Sequence, residues 1–277
     1  MKTVFRAQAG KDARAFAGEV CGVCSHALYA FDGENILVLH DRAYGILPFG
    51  VAVDGIVDLL AALAPKEGER LTAAADILTC AGHKVELIPT VWHANRPAFI
   101  LTPPDAERIG RVREILARRG AQNGIAALFA ADTHGARTHA DTLTRGMRQN
   151  DAKSAADAAV ALLGLGRGLT PSGDDFVCGF FSLLLAARQS GISIPACTDA
   201  VCAAVIREVP ARTSRISGAY VRAALGGRFF SIYDSAAAAL LAKDADADAL
   251  CDFVLSMGAS SGADTLCGAC FAAEILL

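Results

Sequence analysis

Hydrophobic and polar positions change rhythm about a third of the way along the chain. Between residues 24 and 97 the apolar positions fall in short runs: 24–31 (CSHALYAF), 35–40 (NILVLH), 46–53 (ILPFGVAV), 76–82 (DILTCAG) and 83–92 (HKVELIPTVW). Runs of this length, bounded by glycine, aspartate and asparagine, read as strands. Asp32-Gly33, between two of them, is a hairpin signal. One stretch, 55–64 (GIVDLLAALA), has helical spacing instead. Pro103 and Pro104 then stop extended structure, and Asp105 is placed to cap a helix with Ile109, Val112, Ile115 and Leu116 on one face.

From that point the helical period dominates. Helices are expected over 104–119, 138–149, 152–164, 172–189, 196–207, 212–225, 234–257 with a break, and from 261 onward. Abundant alanine favours helix and close helix packing. Residues 176–187 (FVCGFFSLLLAA) are apolar on nearly every side, which predicts a central helix enclosed by the others. That run is well short of the ~20 residues of a membrane crossing. The expected fold class is α+β: a β-rich N-terminal unit over 1–103, followed by a mainly α-helical bundle over 104–277.

Composition narrows the function classes. A formal net charge of −3, with no basic stripe, argues against nucleic acid as a partner. The first residues, MKTVFRAQAGKDARAF, lack the apolar core of a secretion signal, so a cytoplasmic protein with no membrane partner is expected. The nine cysteines are odd in number and mostly set in apolar stretches, as reduced thiols used as small hydrophobes are. Two C-x-x-C pairs, Cys21/Cys24 and Cys267/Cys270, could supply a four-thiolate zinc site. They lie at opposite ends of the chain, and the second falls on one face of an expected helix among apolar neighbours. Both therefore read as structural thiols.

Candidate chemistry concentrates in the helical half. At 165–175 (LGRGLTPSGDD) glycines, a proline and two adjacent carboxylates break what would otherwise be one long helix. Gly164, Gly166 and Gly168 can take backbone angles closed to other residues, and Pro171 leads into a new helix. Ser172 followed by Asp175 fits a capping box. The unit recurs: S-G-D-D-F-V-C-G at 172–179 is echoed by S-G-A-D-T-L-C-G at 261–268, and Ser217-Gly218 is a fainter third copy. Two helix starts of this kind expose N–H groups and positive dipole ends, which together would suit an anion. The candidate anion-binding residues are Gly166, Arg167, Gly168, Thr170, Ser172 and Gly173, with Ser260, Ser261 and Gly262 from the echo. Arg212, Arg215 and Ser217 of the ARTSRIS stretch join them, and Thr213 and Ser214 are candidate catalytic oxyanion donors. Asp175 and Asp264 match in register and read as helix caps. Asp174 has no counterpart and is the candidate catalytic group or, with Asp175, an Mg²⁺ ligand.

Other sites have less support. Asp132, His134, His139 and Asp141 form a second candidate metal cluster, with loop polarity as the simpler reading. Trp92 beside His93 is either core or pocket wall. A phosphate-binding Walker loop is excluded because the glycine-rich stretch is approached by a helix and lacks the lysine. No G-x-S-x-G elbow occurs at these serines, and all six histidines precede residue 140.

GLGRGLTPSGDDFVCG, TSRIS and GASSGADTLCG, in that order, resemble the AllH family. Arg167 stands where that family more often has proline. The resemblance implies a subunit of an oxamate carbamoyltransferase that works with two other kinds of subunit in anaerobic allantoin breakdown, a branch of purine catabolism. The implied reaction converts oxalurate and phosphate to oxamate and carbamoyl phosphate, all of them anions or anionic in part, and needs no cofactor. Two other readings stay open: a metal-dependent phosphoryl-transfer enzyme or hydrolase using Asp174 and Asp175 with Mg²⁺, and a noncatalytic structural subunit.

Overall fold

The computed structural model describes residues 4–10, 13, 15–74, 76–92, 99–228 and 230–277; the side chains of 89–92, Trp92 included, and all of His93 lie outside the described residues. The chain divides into two compact units, Met1–Asn95 and Arg96–Leu277.

The first unit is a closed eight-stranded barrel, which the sequence pattern did not announce. Its strands are β1 (Val4–Gly10), β2 (Phe16–Cys24), β3 (Ala27–Phe31), β4 (Ile36–Asp41), β5 (Gly50–Val53), β6 (Arg70–Ala74), β7 (Ile77–Cys80) and β8 (His83–Trp92). Their order around the barrel is β1-β5-β4-β3-β2-β6-β7-β8, and β8 closes on β1 in parallel. Inward positions alternate, as in Leu28 and Ala30 of β3 or Leu78 and Cys80 of β7, and fill the interior. Helix α1 (Ile56–Leu63) adds Ile56, Leu59, Leu60 and Leu63 to the same core. A register shift between Val20 and Gly22 lets long β2 pair with β6 at one end and β3 along the other. The Asp32-Gly33 turn joins β3 to β4, with the Asp32 carboxylate accepting the N–H groups of Glu34 and Asn35. Those bonds, that to Asn35 foremost, lower the Asp32 pKa.

The second unit is helical: α2 (Ala106–Arg119), α3 (Ile125–Ala130), α4 (Ala136–Arg148), α5 (Ala152–Leu162), α6 (Ser172–Gln189), α7 (Thr198–Arg212), α8 (Arg215–Leu225), α9 (Ser231–Leu241), α10 (Ala247–Leu255) and α11 (Ser261–Leu276). Asp105 caps α2 through the Glu107 N–H, and Ile109, Val112 and Ile115 are buried as the helical spacing requires. α7 runs on through Pro210 to Arg212, past the expected end at 207. Only Ala211 and Arg212 follow the proline in the helix, so the loss of a single N–H near the terminus is tolerated. The predicted central helix is α6, buried from Ser172 through Ala187 and packed against α5, α8, α9 and α11.

α6 and α11 approach without side chains between them. A Cβ on Gly179 would collide with Thr265 O, and one on Gly268 would collide with Phe176 O. Glycine is required at both places because each helix presses on the other's backbone. Alanine is ordinarily better than glycine inside a helix by about 1 kcal/mol. Gly179→Ala should reverse that sign and destabilise the protein by about 1–3 kcal/mol through overpacking. Urea unfolding of the variant, set beside Gly110→Ala, whose Cβ meets nothing, measures the contrast.

Candidate functional site

The repeated octets come together. Contacts pair residue 176 with 268 and 179 with 265, so the helices cross there with equivalent octet positions exchanged. Their N-terminal ends also meet, where Thr170 Oγ1 lies 3.1 Å from Ser261 Oγ. The exchange is reciprocal. The Ser261 hydroxyl acts on Asp175, and the Ser172 hydroxyl acts on Asp264. The glycines following those serines are also equivalent: a Cβ on Gly173 would collide with Leu162 O, and one on Gly262 with Val254 O.

This geometry corrects the reading of the carboxylates as caps. The N-cap positions of α6 and α11 are Pro171 and Ser260, and neither makes a side-chain cap bond. Asp264 caps a different helix, accepting the Ile125 N–H at 2.6 Å at the start of α3. Gly124 makes room for it, since a Cβ there would strike the carboxylate. Asp175 is turned toward Ser261 and Thr170 of the neighbouring chain segments. Each carboxyl keeps one buried oxygen, Oδ2, without a hydrogen bond of normal geometry.

Asp174 is fully buried and takes three donors. Its Oδ1 accepts the Gly164 N–H at 2.7 Å; its Oδ2 accepts the hydroxyls of Thr213 and of Ser217, the latter at 2.6 Å. One carboxylate therefore ties the end of α5, the glycine-rich loop and the start of α8. Both of its oxygens are thus engaged. The 132–141 cluster is likewise spent locally: Asp132 accepts the Arg137 and Thr138 N–H groups, and Asp141 pairs with Arg137. Among the described residues no three histidine, cysteine, aspartate or glutamate side chains gather to hold a metal ion. Cys21 and Cys24 are exposed, Cys267 is half-buried and Cys270 buried, and none of them is in a disulfide.

The glycine-rich loop has the backbone its composition required, with Gly164, Gly166 and Gly168 all at positive φ. Gly164 is also pinned by a carbonyl, since a Cβ would strike Arg212 O. Gly173 and Gly262 do not hold their N–H groups ready for an anion: these are donated to Leu165 O and Met257 O at 2.8 and 3.0 Å. Ser214 caps α8 by accepting the Ser217 N–H, and its own hydroxyl donates to Leu169 O. Gly166, Arg167 and Gly168 are exposed, as are Arg212, Ser214 and Arg215, while Thr170, Ser260 and Ser261 are half-buried. Three segments distant in sequence thus form one neighbourhood, with hydroxyls at its floor and three arginines in its exposed parts.

Residues 162–273 match the family model for the oxamate carbamoyltransferase subunit AllH. Over this segment the chain is similar to the AllH family. No curated protein and no solved structure matches the chain. The AllH segment opens at Leu162, whose carbonyl packs on Gly173, and runs through α6 to Ala273 in α11, so it contains both octets and the α8 start. Sequence reasoning missed Gly124 and Ile125, which precede the AllH segment yet complete the surroundings of Asp264. Nothing local to them marks that role.

The three aspartates of this site share one electrostatic condition. Burial raises the pKa of Asp174, Asp175 and Asp264, against the lowering effect of their hydrogen bonds. For Asp175 the charges of Asp264 and Asp174 raise it further. A carboxyl raised in the folded state stabilises fully below its ordinary value of 3.8 and loses that contribution as pH climbs through the raised value. Asp175→Asn removes this titration. The variant should therefore gain stability relative to wild type between about pH 4 and about pH 8, measured by urea unfolding at both ends; parallel changes in the two proteins would contradict the assignment. Asp174→Ala, by contrast, strands three donors and should cost about 3 kcal/mol or more at every pH, read by the same unfolding curves.

Proposed function

We propose that the chain is a subunit of an oxamate carbamoyltransferase-type enzyme, acting with two other subunits on oxalurate and phosphate and binding anionic substrate at the paired helix starts. The observation that carries this reading is the meeting of the glycine-rich loop and the second octet at the Thr170–Ser261 hydroxyl pair, with the α8 start bonded to the same loop and to Asp174. Phosphate, carbamoyl phosphate, oxalurate and oxamate are all small anions, and the exposed Arg167, Arg212 and Arg215 supply charge-assisted donors of the right kind.

In the reaction a phosphate oxygen forms a bond to the carbamoyl carbon of oxalurate. The carbonyl oxygen becomes an oxyanion, the C–N bond breaks, and the leaving nitrogen takes the proton that phosphate brought, giving oxamate. Ser261 and Thr170, whose hydroxyls act on Asp175 in the free protein, would turn to donate to that oxyanion when substrate binds. Thr213 and Ser214 are read differently from a free donor pair: their hydroxyls are donated to Asp174 and Leu169 O, so they serve by holding the loop. Asp174 is a positioning residue in the same sense. Neither reading requires a cofactor.

The test is reconstitution with the two partner subunits and measurement of phosphate-dependent carbamoyl phosphate formation from oxalurate, leaving out each subunit in turn. Omission of this chain should abolish formation, and Ser261→Ala should lower kcat by roughly a hundredfold, the usual cost of one oxyanion donor. Full activity without the chain would assign the chemistry elsewhere. Full activity of Ser261→Ala, with the chain still required, would leave it a structural subunit.

A further inference from the structure

Outside the paired helix starts, the second unit holds a cavity of about 680 Å³ between α2, α4 and α11. Its charge is arranged by helical spacing. Arg137, Asp141, Arg145 and Arg148 fall at intervals of three and four along α4, so they share one face. Arg113 projects from α2, and Phe271 and Glu274 from the second half of α11. Two of the arginines are neutralised: Arg113 pairs with Glu274, and Arg137 with Asp141. Arg145 and Arg148 are not. Arg145 donates to Thr142 Oγ1 at 3.1 Å and Arg148 to Glu274 O at 2.6 Å, and no carboxylate pairs with either among the described residues. The cavity therefore carries a surplus of two positive charges, on guanidinium groups one helical turn apart.

The remaining wall is mixed, with Thr144 and Gln149 on its polar side. Leu116, Cys270 and the Phe271 ring make its apolar side, and the Arg137 guanidinium lies 5.4 Å from the centre of that ring. The volume falls in the range of sites for whole organic ligands, about 300–1,000 Å³, and far exceeds what one phosphate or oxamate fills. Two forked cations beside a partly apolar wall fit a ligand with a multiply charged phosphate at one end and an organic body with both apolar and polar groups at the other.

We infer that this cavity is a binding site for an organic phosphate of nucleotide size, separate from the helix starts of the proposed carbamoyl-transfer site. Arg145 and Arg148 hold the phosphates, and Phe271 with Leu116 receives the body. Both arginines are exposed, so substituting them leaves the core intact.

The experiment is calorimetric titration of the full chain with ATP, pyrophosphate and adenosine. ATP should bind one to one, more tightly than pyrophosphate, with adenosine showing no measurable binding. Arg145→Gln/Arg148→Gln should weaken ATP by about tenfold to a hundredfold per arginine, the scale of charge-assisted pairs, with an unchanged melting curve. The single variant Arg145→Gln should show the smaller part of that loss, and Ser261→Ala should bind ATP as wild type does. The inference fails if ATP does not bind, or if the double variant binds it unchanged. It also fails if Ser261→Ala is the variant that loses ATP, or if pyrophosphate binds as tightly as ATP.

Discussion

The second unit depends on two helices meeting backbone to backbone. Where Gly179 faces Thr265 O and Gly268 faces Phe176 O, no Cβ intervenes, so α6 and α11 lie closer than side-chain packing would allow. That closeness sets the rest. It brings two helix starts to one place, puts the Thr170 and Ser261 hydroxyls within 3.1 Å, and forces three carboxyl groups out of water. The aromatic residues below the crossing reinforce it: the Phe271 ring meets Phe176 edge-on at 5.3 Å, and Phe129 of α3 meets both.

Burying carboxylates at such a junction is costly unless donors come with them. The donors come from elsewhere in the chain. Asp174 collects an N–H from the end of α5 and hydroxyls from the start of α8, and Asp264 collects the first N–H of α3. Each aspartate thereby fastens a segment that the helix crossing alone would leave unattached. The same bonds that offset desolvation orient the loop carrying Arg167 and the turn carrying Arg212, so the stability of the junction and the geometry of the proposed site rest on the same groups.

Much of the architecture could be read from local pattern. The α+β division, the enclosed helix over 172–189, the α2 cap at Asp105 and the positive-φ glycines all follow from spacing and backbone sterics within a few residues. The strands β1 and most of β2 did not stand out, because VFRAQAG and FAGEVCGVC mix alanine, glycine and charge with few β-branched residues. Barrel closure was also beyond local pattern, since alternation tells which face of a strand is apolar but names no partner for β8. Helix α3 is six residues long with glycine at its N-cap, and its cap arrives from Asp264, 139 residues away.

By itself the sequence determined which residues begin helices, where the chain must turn through positive φ, and that one octet occurs twice. It also determined the AllH resemblance, since that lies in ordered motifs. Only tertiary structure decided what the octets' carboxylates do. An aspartate three residues past a serine has the same local signature whether it turns back to its own helix start or outward to another. The choice was made by distance: once the glycines let α6 and α11 touch, donors of the opposite segment lay within reach of the carboxyl groups.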